Sequence, residues 1–442
     1  SSTISPRSRR PRWSGSSMRI LVVGNGARED ALSWKLAQSP HCEALFASPG
    51  NAGTASRGTN WGISVTDAKR LVERALAERI DLCVIGPETA LAAGVADKMR
   101  AAGISTFGAA RSAARLESSK IFAKRFMERH DIPTAYFRAV HSLEQAEKAL
   151  NDWQGAVVVK ADGLAAGKGV VVCDSPHDAR AVLRGWYGGA GIPGGGIDVV
   201  LEAKLEGREV SVFALLDGRA GVMLGAACDY KRAGDGDTGP NTGGMGAYSP
   251  PATFPHDLLD SVRERVLAPV MAGLEAEGEE YRGALYLGLM WNEEEGASVL
   301  EFNARFGDPE TQVLMPRFTG DLPLLLKSCA DGVLDPSTIS ISRQACVGVV
   351  LATREYPVRS TPVEGLPAAV DLPAGCSAFW GTSEIANGRV TSPGGRVLTV
   401  TALGDDVESA RQCVYGAVRS LGPVVGDKLT FRSDIASETT LR

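Results

Sequence analysis

The chain has 442 residues, of which 44% are apolar and 22% are charged, and its formal net charge is −5 at pH 7. This length suits about three domains, and no apolar run approaches the ~20 residues that cross a bilayer, so a membrane protein is not expected. The negative charge argues against nucleic acid as a partner, and eight scattered cysteines without a C-x-x-C pair indicate reduced thiols in the cytoplasm.

The first residues differ in composition from the rest of the chain. Residues 1–17 contain four Arg and no acidic residue, so we predict a disordered extension, with folding beginning at Met18. The composition is similar to that of a transit peptide, but it lacks an amphipathic period. A mis-assigned start or a tag is the favoured explanation.

From Met18 onward, short apolar runs alternate with helical patterns. The runs at 19–23, 44–47, 82–85 and 104–107 predict buried strands, and an apolar stripe from Leu71 to Ile80 predicts a helix between the second and third. This order indicates a parallel α/β domain, in which ligands lie beyond the carboxyl ends of the strands. The candidate substrate-binding residues there are Gly24, Asn25, Gly26, Arg28, Gly50, Asn51, Gly53, Thr54, Pro87 and Glu88.

The first of these loops has part of a dinucleotide-binding pattern. Gly24 and Gly26 follow a strand and open a helix, but Glu29 stands where a third glycine is needed, and Ser48 stands where an acidic residue should contact ribose. A nicotinamide site is therefore disfavoured. The backbone N–H groups could still bind a phosphate monoester near Arg28; the alternative is a simple tight turn.

Next in the chain, Ser118 and Ser119 can cap a helix over 120–130, and residues 134–205 form a separate small α/β unit with strands at 156–160, 169–173 and 198–202. The glycine-rich stretch 160–169 lacks the spacing and the Ser or Thr of a P-loop and joins two strands. We predict a β-hairpin whose tip covers a triphosphate; the alternative is an empty turn. Its candidate phosphate-binding residues are Lys160, Gly163, Gly167, Lys168 and Gly169.

The segment Asp229 to Pro250 contains six glycines and two prolines in 22 residues. A loop of this length inside a compact domain is usually functional or disordered, and Tyr230, Met245 and Tyr248 can anchor it. We therefore predict a substrate-binding loop. A helix-rich stretch over 253–278 follows it.

The most informative motif is the strand signature at 299–310. On an extended strand Glu301, Asn303 and Arg305 project to one face, which places two oxygen ligands beside a cation. Mg²⁺ is usually held by one or two carboxylates together with substrate phosphates, and Arg305 can bind a carboxylate or a phosphoryl group. An edge strand with a solvated face is the alternative. The last hundred residues have strands at 346–352 and 396–402 and an amphipathic helix from Val407 to Leu421.

Three segments, 160–169, 237–250 and 301–312, closely resemble the phosphoribosylamine-glycine ligase family of the ATP-grasp superfamily. The resemblance runs from Met18 to about residue 435. It implies an α/β chain with a Rossmann-like N-terminal domain (18–119), an ATP-grasp domain (120–345) with a mobile lid (about 134–205), and a small α+β C-terminal domain (346–442). It also implies a monomer or weak dimer.

The resemblance implies that ATP drives the joining of glycine to 5-phosphoribosylamine in purine biosynthesis, through a glycyl phosphate, with Mg²⁺ or else Mn²⁺. Lys120 and Lys160 would neutralise ATP phosphates, Glu202 and Glu209 would hold the nucleoside, and Glu301 and Asn303 would hold the metal. Arg305, with Lys160, would be catalytic. Arg305, with the 229–250 loop, would orient glycine or the acyl phosphate, and the N-terminal loops would receive phosphoribosylamine. The further substrate-binding residues that the resemblance implies are Asp229, Lys231, Asn241, Thr242, Gly243, Gly244, Met245, Arg305 and Asp308.

The chain departs from the family pattern at two places. Ala27 and Asp30 stand where the family usually has Gly and His, and Phe379-Trp380-Gly-Thr382 stands where His-Ala-Gly-Thr is common. A carboxylate at position 30 would repel a bound phosphate, so we predict that Asp30 points away from it. The alternatives are a ligase for another nucleotide amine, a nucleotide sensor without turnover and, third, a nicotinamide enzyme.

Overall fold

The computed structural model describes residues 17–164, 169–438 and 440–441. The predicted tip residues Gly167 and Lys168, and all but the last residue of the predicted extension 1–17, lie outside the described residues. Within the described residues, no helix has both the length and the apolar character needed to span a bilayer.

The N-terminal domain is a five-stranded parallel sheet with the strand order β3-β2-β1-β4-β5. Alternate residues of β1 are buried in different clusters, with Ile20 and Val22 in one and Leu21 and Val23 in the other. Burial on both faces explains why this strand is a continuous apolar run. The strands are β1 Met18–Gly24, β2 Cys42–Pro49, β3 Thr59–Asn60, β4 Leu82–Ile85 and β5 Ser105–Phe107.

Five helices accompany this sheet. For α3 (Ala68–Ala77), the apolar stripe predicted from Leu71 to Ile80 is wrong in part. Leu71 and Ala75 are buried, but Leu76 is 52% exposed and Ile80 lies beyond the end of its helix. Leu76 follows Ala75 directly, so it is turned by about 100° away from the buried face. The helices are α1 Ala27–Leu36, α2 Ala52–Ala55, α3 Ala68–Ala77, α4 Glu88–Ala92 and α5 Val95–Ala101.

The segment predicted as a lid has a sheet and a core of its own. Val157, Leu201 and Leu183 belong to a cluster that contains only residues of this segment, and β7 pairs with β8 as the predicted antiparallel hairpin. Its antiparallel sheet has the order β6-β9-β7-β8. The elements are β6 Phe137–Val140, β7 Val157–Ala161, β8 Val170–Cys173 and β9 Val199–Ala203, with α8 Leu143–Ala149, α9 Pro176–Gly185 and the π-helical turn Trp186–Ala190.

Two helices, α6 Arg115–Ser118 and α7 Lys120–Arg129, connect the N-terminal domain to this lid segment. Ser119 caps α7 by accepting a hydrogen bond from the backbone N–H of Phe122 at 3.1 Å, as predicted. Ser118 is instead the last residue of α6.

A nine-stranded sheet forms the centre of the molecule, with the order β16-β15-β10-β11-β14-β17-β22-β19 and β23 paired with β17. Pairing of β14 with β17 continues this sheet into the C-terminal residues. The strands are β10 Arg208–Asp217, β11 Gly221–Asp229, β14 Gly246–Ser249, β15 Arg282–Asn292, β16 Gly296–Asn303, β17 Ala345–Thr353, β19 Cys376–Trp380, β22 Arg396–Gly404 and β23 Leu429–Thr430.

The glycine-rich segment 229–250 is more regular than predicted. It contains β14 and a small hairpin of β12 Arg232–Gly234 and β13 Thr238–Asn241. The anchoring residues Tyr230, Met245 and Tyr248 are buried, as predicted. Gly234, Gly239 and Gly246 belong to these short strands, and the other three glycines lie between them.

The remaining elements complete the core and the C-terminal domain. The predicted helix at 407–421 is confirmed, with Val414 and Val418 buried on one face. A second small sheet has the order β18-β21-β20. These elements are α10 Leu258–Val262, the π-helical turn Arg263–Leu267, α11 Ala268–Ala276, α12 Glu310–Leu314, α13 Leu322–Ala330, α14 Val407–Ser420, α15 Gly422–Val425, β18 Val363–Pro367, β20 Glu384–Ala386, β21 Arg389–Ser392 and the 3₁₀ turns Pro336–Thr338 and Gly426–Lys428.

Candidate active site

The three N-terminal loops meet at the carboxyl edge of the parallel sheet, as parallel strands require. The backbone N–H of Gly50 donates to the carbonyl of Gly24 at 3.1 Å, and that of Gly86 donates to Val23 at 2.9 Å. The Glu29 side chain fills the space beside Gly24 and Gly86, where a Cβ atom would collide with it. Its carboxylate accepts a hydrogen bond from the backbone N–H of Gly26 at 2.7 Å.

Several predicted substrate residues of these loops are buried beneath the surface. The Arg28 guanidinium lies 2.5 Å from the Glu29 carboxylate and donates to the carbonyl of Phe306 at 3.1 Å. The Asn51 amide donates to the carbonyls of Asn25 at 3.0 Å and Trp380 at 2.7 Å. Thr54 caps α2 together with Asn51, and Gly53 lies against Asp30. Direct substrate contact by these side chains stays a prediction, and their visible contacts fix the loop backbone.

Asp30 is completely buried, and its carboxylate is paired with Arg57. It also accepts a hydrogen bond from the backbone N–H of Trp380 at 2.7 Å. Burial raises the pKa of Asp30 to about 6, although Arg57 opposes the shift. The carboxylate of Asp30 therefore points towards Arg57 and the backbone of Trp380, and its orientation relative to a bound phosphate stays a prediction.

Arg305 is the centre of an ion-pair network between the N-terminal loops and β16. Its guanidinium lies 3.3 Å from Glu88 and 2.9 Å from Glu117, and it donates to the side-chain oxygen of Asn303 at 3.3 Å. Burial raises the pKa of Glu117 to about 6, against the opposing charge of Arg305. Sequence reasoning missed Glu117, because it lies in no motif and its partner is remote in the chain.

The two predicted phosphate lysines lie near each other, in different environments. The Lys120 ammonium donates to the carbonyl of Gly163 at 2.9 Å, which places it at the start of the lid tip. Lys160 is buried, 3.0 Å from the Glu202 carboxylate. Lys124, which the sequence analysis missed, lies 3.0 Å from the same carboxylate. Burial lowers the pKa of Lys124 to about 8, although Glu202 opposes the shift.

Glu301 lies among cations beside the predicted nucleoside residue Glu209. The Lys231 ammonium donates to Glu209 at 2.9 Å, and Glu209, Lys231 and Glu301 line a common pocket. Burial would raise the pKa of Glu301, but Lys231, Lys160, Lys120 and Arg305 hold it below its usual value. The carboxylate of Glu301 is therefore ionised at neutral pH.

Glu310 is a further buried acid at this site. Burial and the nearby Asp229 raise its pKa to about 7, and the Ser211 hydroxyl donates to it at 3.3 Å. A Cβ atom on Gly307 would collide with the Glu310 carboxylate. This contact gives a steric reason for glycine in the Gly-Asp-Pro turn.

The oxygen donors on β16 suit Mg²⁺ held jointly by protein and substrate. Glu301 provides an ionised carboxylate and Asn303 provides a carboxamide oxygen. Among the described residues, no cluster of three or more His, Cys, Asp or Glu side chains is arranged to hold a metal ion. Two protein oxygens fit a cation whose other ligands are phosphates and water, and do not fit an all-protein cage.

The predicted glycine-binding segment is held in place by other parts of the chain. The Thr242 hydroxyl donates to the carbonyl of Lys231 at 2.9 Å and accepts from the N–H of Gly244 at 2.9 Å. Arg396, from the C-terminal domain, donates to the carbonyl of Gly243 at 2.9 Å and lies 3.2 Å from Asp308. Asn241 is exposed at the end of the β13 strand.

Comparison with known proteins identifies the family. Three domain models of phosphoribosylglycinamide synthetase match the chain: the N domain at 18–117, the ATP-grasp (A) domain at 118–311 and the C domain at 346–438. The chain belongs to the phosphoribosylglycinamide synthetase family. The resemblance predicted from the three sequence motifs is thereby confirmed.

Relatives in this family match along almost the whole chain. A phosphoribosylamine–glycine ligase of Neisseria meningitidis serogroup A is 43% identical over 430 residues, which cover 96% of this chain and 100% of the relative. The enzyme of that name from Escherichia coli K12 is 42% identical over 410 residues, covering 91% of this chain and 95% of the relative.

Solved structures confirm the fold. The phosphoribosylamine–glycine ligase of Thermotoga maritima superposes with a TM-score of 0.78 and 32% identity, covering 94% of this chain and 100% of that one. The biotin carboxylase domain of a Hydrogenobacter thermophilus 2-oxoglutarate carboxylase gives a TM-score of 0.71 at 14% identity. The match covers 92% of this chain and 90% of that one. This second similarity concerns the fold alone. The predicted architecture, with its Rossmann-like, ATP-grasp and C-terminal parts, is confirmed.

Proposed function

We propose that this chain joins glycine to 5-phosphoribosylamine and forms glycinamide ribonucleotide, with ATP converted to ADP and phosphate, as a step of purine biosynthesis. The observation that carries the proposal is the Arg305 network, in which one cation contacts Glu88 of the N-terminal loops and Asn303 beside Glu301. The Arg305 guanidinium would then lie between an ATP site on β16 and a site for the amine substrate at the N-terminal loops.

The chemistry requires activation of the glycine carboxylate, which is a poor electrophile. A glycine oxygen attacks the γ-phosphorus of ATP; the bond from that phosphorus to the β,γ-bridging oxygen breaks, and glycyl phosphate and ADP form. The amine nitrogen then attacks the acyl carbon, loses a proton, and orthophosphate leaves. Positioning and charge stabilisation supply most of the rate enhancement in such phosphoryl transfers.

The charges around Glu301 suit the first step. Lys120 and Lys160, both of which lower the pKa of Glu301, would contact the phosphates once ATP is bound. Arg305 would orient the glycine carboxylate and stabilise the charge that develops on the transferred phosphoryl group. The lid tip around Gly163 and Gly169 would cover the phosphates and exclude water from the mixed anhydride.

Glu301 and Asn303 would hold Mg²⁺, and Mn²⁺ shares the preference for these oxygen ligands. The metal, when bound, neutralises charge on the phosphate oxygens. Glu202 and Glu209 would contact the nucleoside, and the lysines beside each of them would fix the carboxylate geometry.

Glycine with both carboxylate oxygens labelled with ¹⁸O tests the proposed intermediate. One labelled oxygen is expected in the released orthophosphate, because the bond between the acyl carbon and that oxygen breaks in the second step. Formation of glycinamide ribonucleotide with unlabelled orthophosphate would refute glycyl phosphate. Turnover with freshly generated phosphoribosylamine and a series of amino acids tests the substrate: preference for a larger amino acid would refute glycine.

A further inference from the structure

The lid segment joins the core through two connections, one leading into β6 and one leading out of β9, and Lys124 contacts a residue of each. Lys124 belongs to α7, outside the lid segment, and only 2% of it is exposed. An ammonium group this deeply buried is unfavourable unless it is paired and hydrogen-bonded. The partners of Lys124 therefore show what the residue does.

The incoming connection is tied to the strand that carries Glu301. The Lys124 ammonium donates to the Thr134 hydroxyl at 2.6 Å, and that hydroxyl donates to the carbonyl of Val299 at 2.7 Å. The backbone N–H of Val299 donates to the carbonyl of Pro133 at 2.7 Å. Lys124 is therefore linked to β16 just before Glu301.

The outgoing connection is held by charge. The Lys124 ammonium lies 3.0 Å from the Glu202 carboxylate, and Glu202 is itself buried. Glu202 on β9 pairs with Phe137 on β6, and the Lys124 ammonium lies 5.8 Å from the Phe137 ring centroid, within reach of a cation–π contact. One side chain of α7 therefore contacts the strands at both ends of the lid segment.

Lys160 gives this contact a role in the reaction. The Lys160 ammonium lies 3.0 Å from the same Glu202 carboxylate and donates to the carbonyl of Leu300 at 3.2 Å. Two buried lysines thus share one glutamate, and the three side chains carry one positive charge in excess. When Lys160 contacts a phosphate of bound ATP, Glu202 keeps Lys124 as its cation. Without Lys124, the same movement of Lys160 would leave a buried carboxylate unpaired, which is strongly unfavourable.

We propose that Lys124 is a positioning residue for the nucleotide: it holds Glu202 and both lid connections against α7 and β16, and it leaves Lys160 available for a phosphate. The inference rests on the proposed function and deepens it, because the nucleotide is the ATP of that reaction. Lys124 does not touch the nucleotide and acts through Glu202 and Lys160. The ligands that depend on it are the nucleoside diphosphate and triphosphate.

ADP with Mg²⁺, which binds without turnover, is the probe, and isothermal titration calorimetry measures its dissociation constant. In Lys124→Met, which keeps an unbranched side chain and removes the charge, the dissociation constant should rise about tenfold. Lys148→Met is the matched control, because Lys148 is an exposed lysine on α8 of the lid segment, and it should bind ADP as the wild type does.

Thr134→Val tests the incoming connection without changing a charge. It removes the hydroxyl group between Lys124 and Val299, and the dissociation constant of ADP should rise about threefold. If Lys124→Met does not fold, Thr134→Val carries the test, and unchanged ADP binding by that variant would overturn the proposal.

A double-mutant cycle separates positioning from general destabilisation. If Lys124 acts through Glu202, Lys124→Met should weaken ADP binding by less than about twofold when Glu202→Gln is already present, because the carboxylate that needs a cation is gone. A loss of about tenfold in both backgrounds would overturn the route through Glu202.

Steady-state kinetics separates this inference from the proposed function. In Lys124→Met the KM for ATP should rise about tenfold, while the KM for glycine and for phosphoribosylamine stay within about twofold. A wild-type enzyme that forms glycinamide ribonucleotide, with ADP binding unaffected by Lys124→Met, would overturn the inference and leave the function standing. Lys124-dependent binding of ADP by a protein that forms no glycinamide ribonucleotide would overturn the function and support a nucleotide site that Lys124 holds in place.

Discussion

The carboxylate of Asp30 accepts a hydrogen bond from the backbone N–H of Trp380 at 2.7 Å, although the two residues lie at opposite ends of the chain. The Trp380 carbonyl in turn accepts from Asn51 at 2.7 Å. Both Asp30 and Trp380 occupy positions where the chain departs from the usual family pattern. The departures therefore meet in one interdomain contact, and Arg57 neutralises the charge that one of them introduces.

The pH dependence of stability should reveal this contact. Burial raises the pKa of Asp30 from its usual value of 3.8 to about 6 in the folded protein, so stability should fall as the pH rises from about 4 to about 6, a loss that Arg57 partly offsets. At about pH 5 Asp30 is mostly protonated in the folded protein, and Arg57→Met should lower the free energy of unfolding by about 1 kcal/mol. At about pH 8 Arg57→Met leaves the buried carboxylate of Asp30 without its cation, and the decrease in the free energy of unfolding should grow to about 3 kcal/mol.

Urea unfolding at both pH values measures this difference. Arg70→Met is the control, because its ion pair with Asp67 is exposed and should contribute less than about 0.5 kcal/mol at either pH. An Arg57→Met effect of equal size at both pH values would contradict the assignment.

Glu301→Ala should lower kcat about 100-fold and abolish its dependence on Mg²⁺, since the ionised carboxylate is the only acidic ligand proposed for the metal. The fold should survive, because the side chain is not part of an apolar cluster. Activity as a function of Mg²⁺ concentration, together with thermal unfolding, tests this. Glu294→Ala, an exposed acid in the turn before β16, should retain full activity. Undiminished turnover of Glu301→Ala would refute the metal assignment.

Arg305→Lys should lower kcat/KM for phosphoribosylamine by about 10-fold to 100-fold, because an ammonium group cannot contact Glu88, Glu117 and Asn303 together as the planar guanidinium does. The KM for ATP should change little, since Lys120 and Lys160 are the residues proposed to contact the phosphates. Arg343→Lys, at an exposed position, controls for the conservative exchange. Activity within twofold of wild type would remove Arg305 from the reaction centre.

Arg432→Ala should lower the free energy of unfolding by about 2 kcal/mol, because it removes a buried guanidinium and its charge-assisted hydrogen bonds to two partly exposed acids. The Arg432 guanidinium is completely buried; it donates to Asp434 at 2.7 Å and to Asp237 of the glycine-rich segment at 2.8 Å. It also lies 5.1 Å from the ring centroid of Tyr230.

The same variant should raise the KM for glycine, because the β12–β13 hairpin loses part of its attachment to the C-terminal tail, the hydrogen bonds of Arg432 to Asp237 and to the carbonyl of Arg232. Chemical denaturation and initial rates measure the two effects. Arg419→Ala, exposed on α14, is the control. A destabilised Arg432→Ala with an unchanged KM for glycine would limit Arg432 to a structural role.

The sequence was a good guide wherever a local pattern determines local structure. The apolar runs of β1 and β4 are buried on both faces, and the apolar face of α14 packs on the C-terminal strands. It was a poorer guide for segment 229–250, where frequent glycines suggested a loop. Short strands form there because β12 and β13 pair with each other and β14 pairs with β11 and with β17, which is about 100 residues further along the chain.

The same reason separates the site residues that were found from those that were missed. Glu301 and Asn303 share one face of β16, as predicted, whereas Arg305 follows the end of the strand and reaches Asn303 through a hydrogen bond, so the prediction that Arg305 lies on the strand is wrong. Glu117 and Lys124 carry no motif, and they matter only because folding places them against Arg305 and Glu202.

By itself, the sequence determined the family, the order of the three domains and the donors along β16, because periodicity and motif spacing act over a few residues. Only the tertiary structure decided which charges neutralise each other, where Asp30 points, and that Lys124 lies against both Thr134 and Glu202. The physical reason is range: a buried charge or hydroxyl group depends on atoms within a few ångströms, and those atoms come from distant parts of the chain.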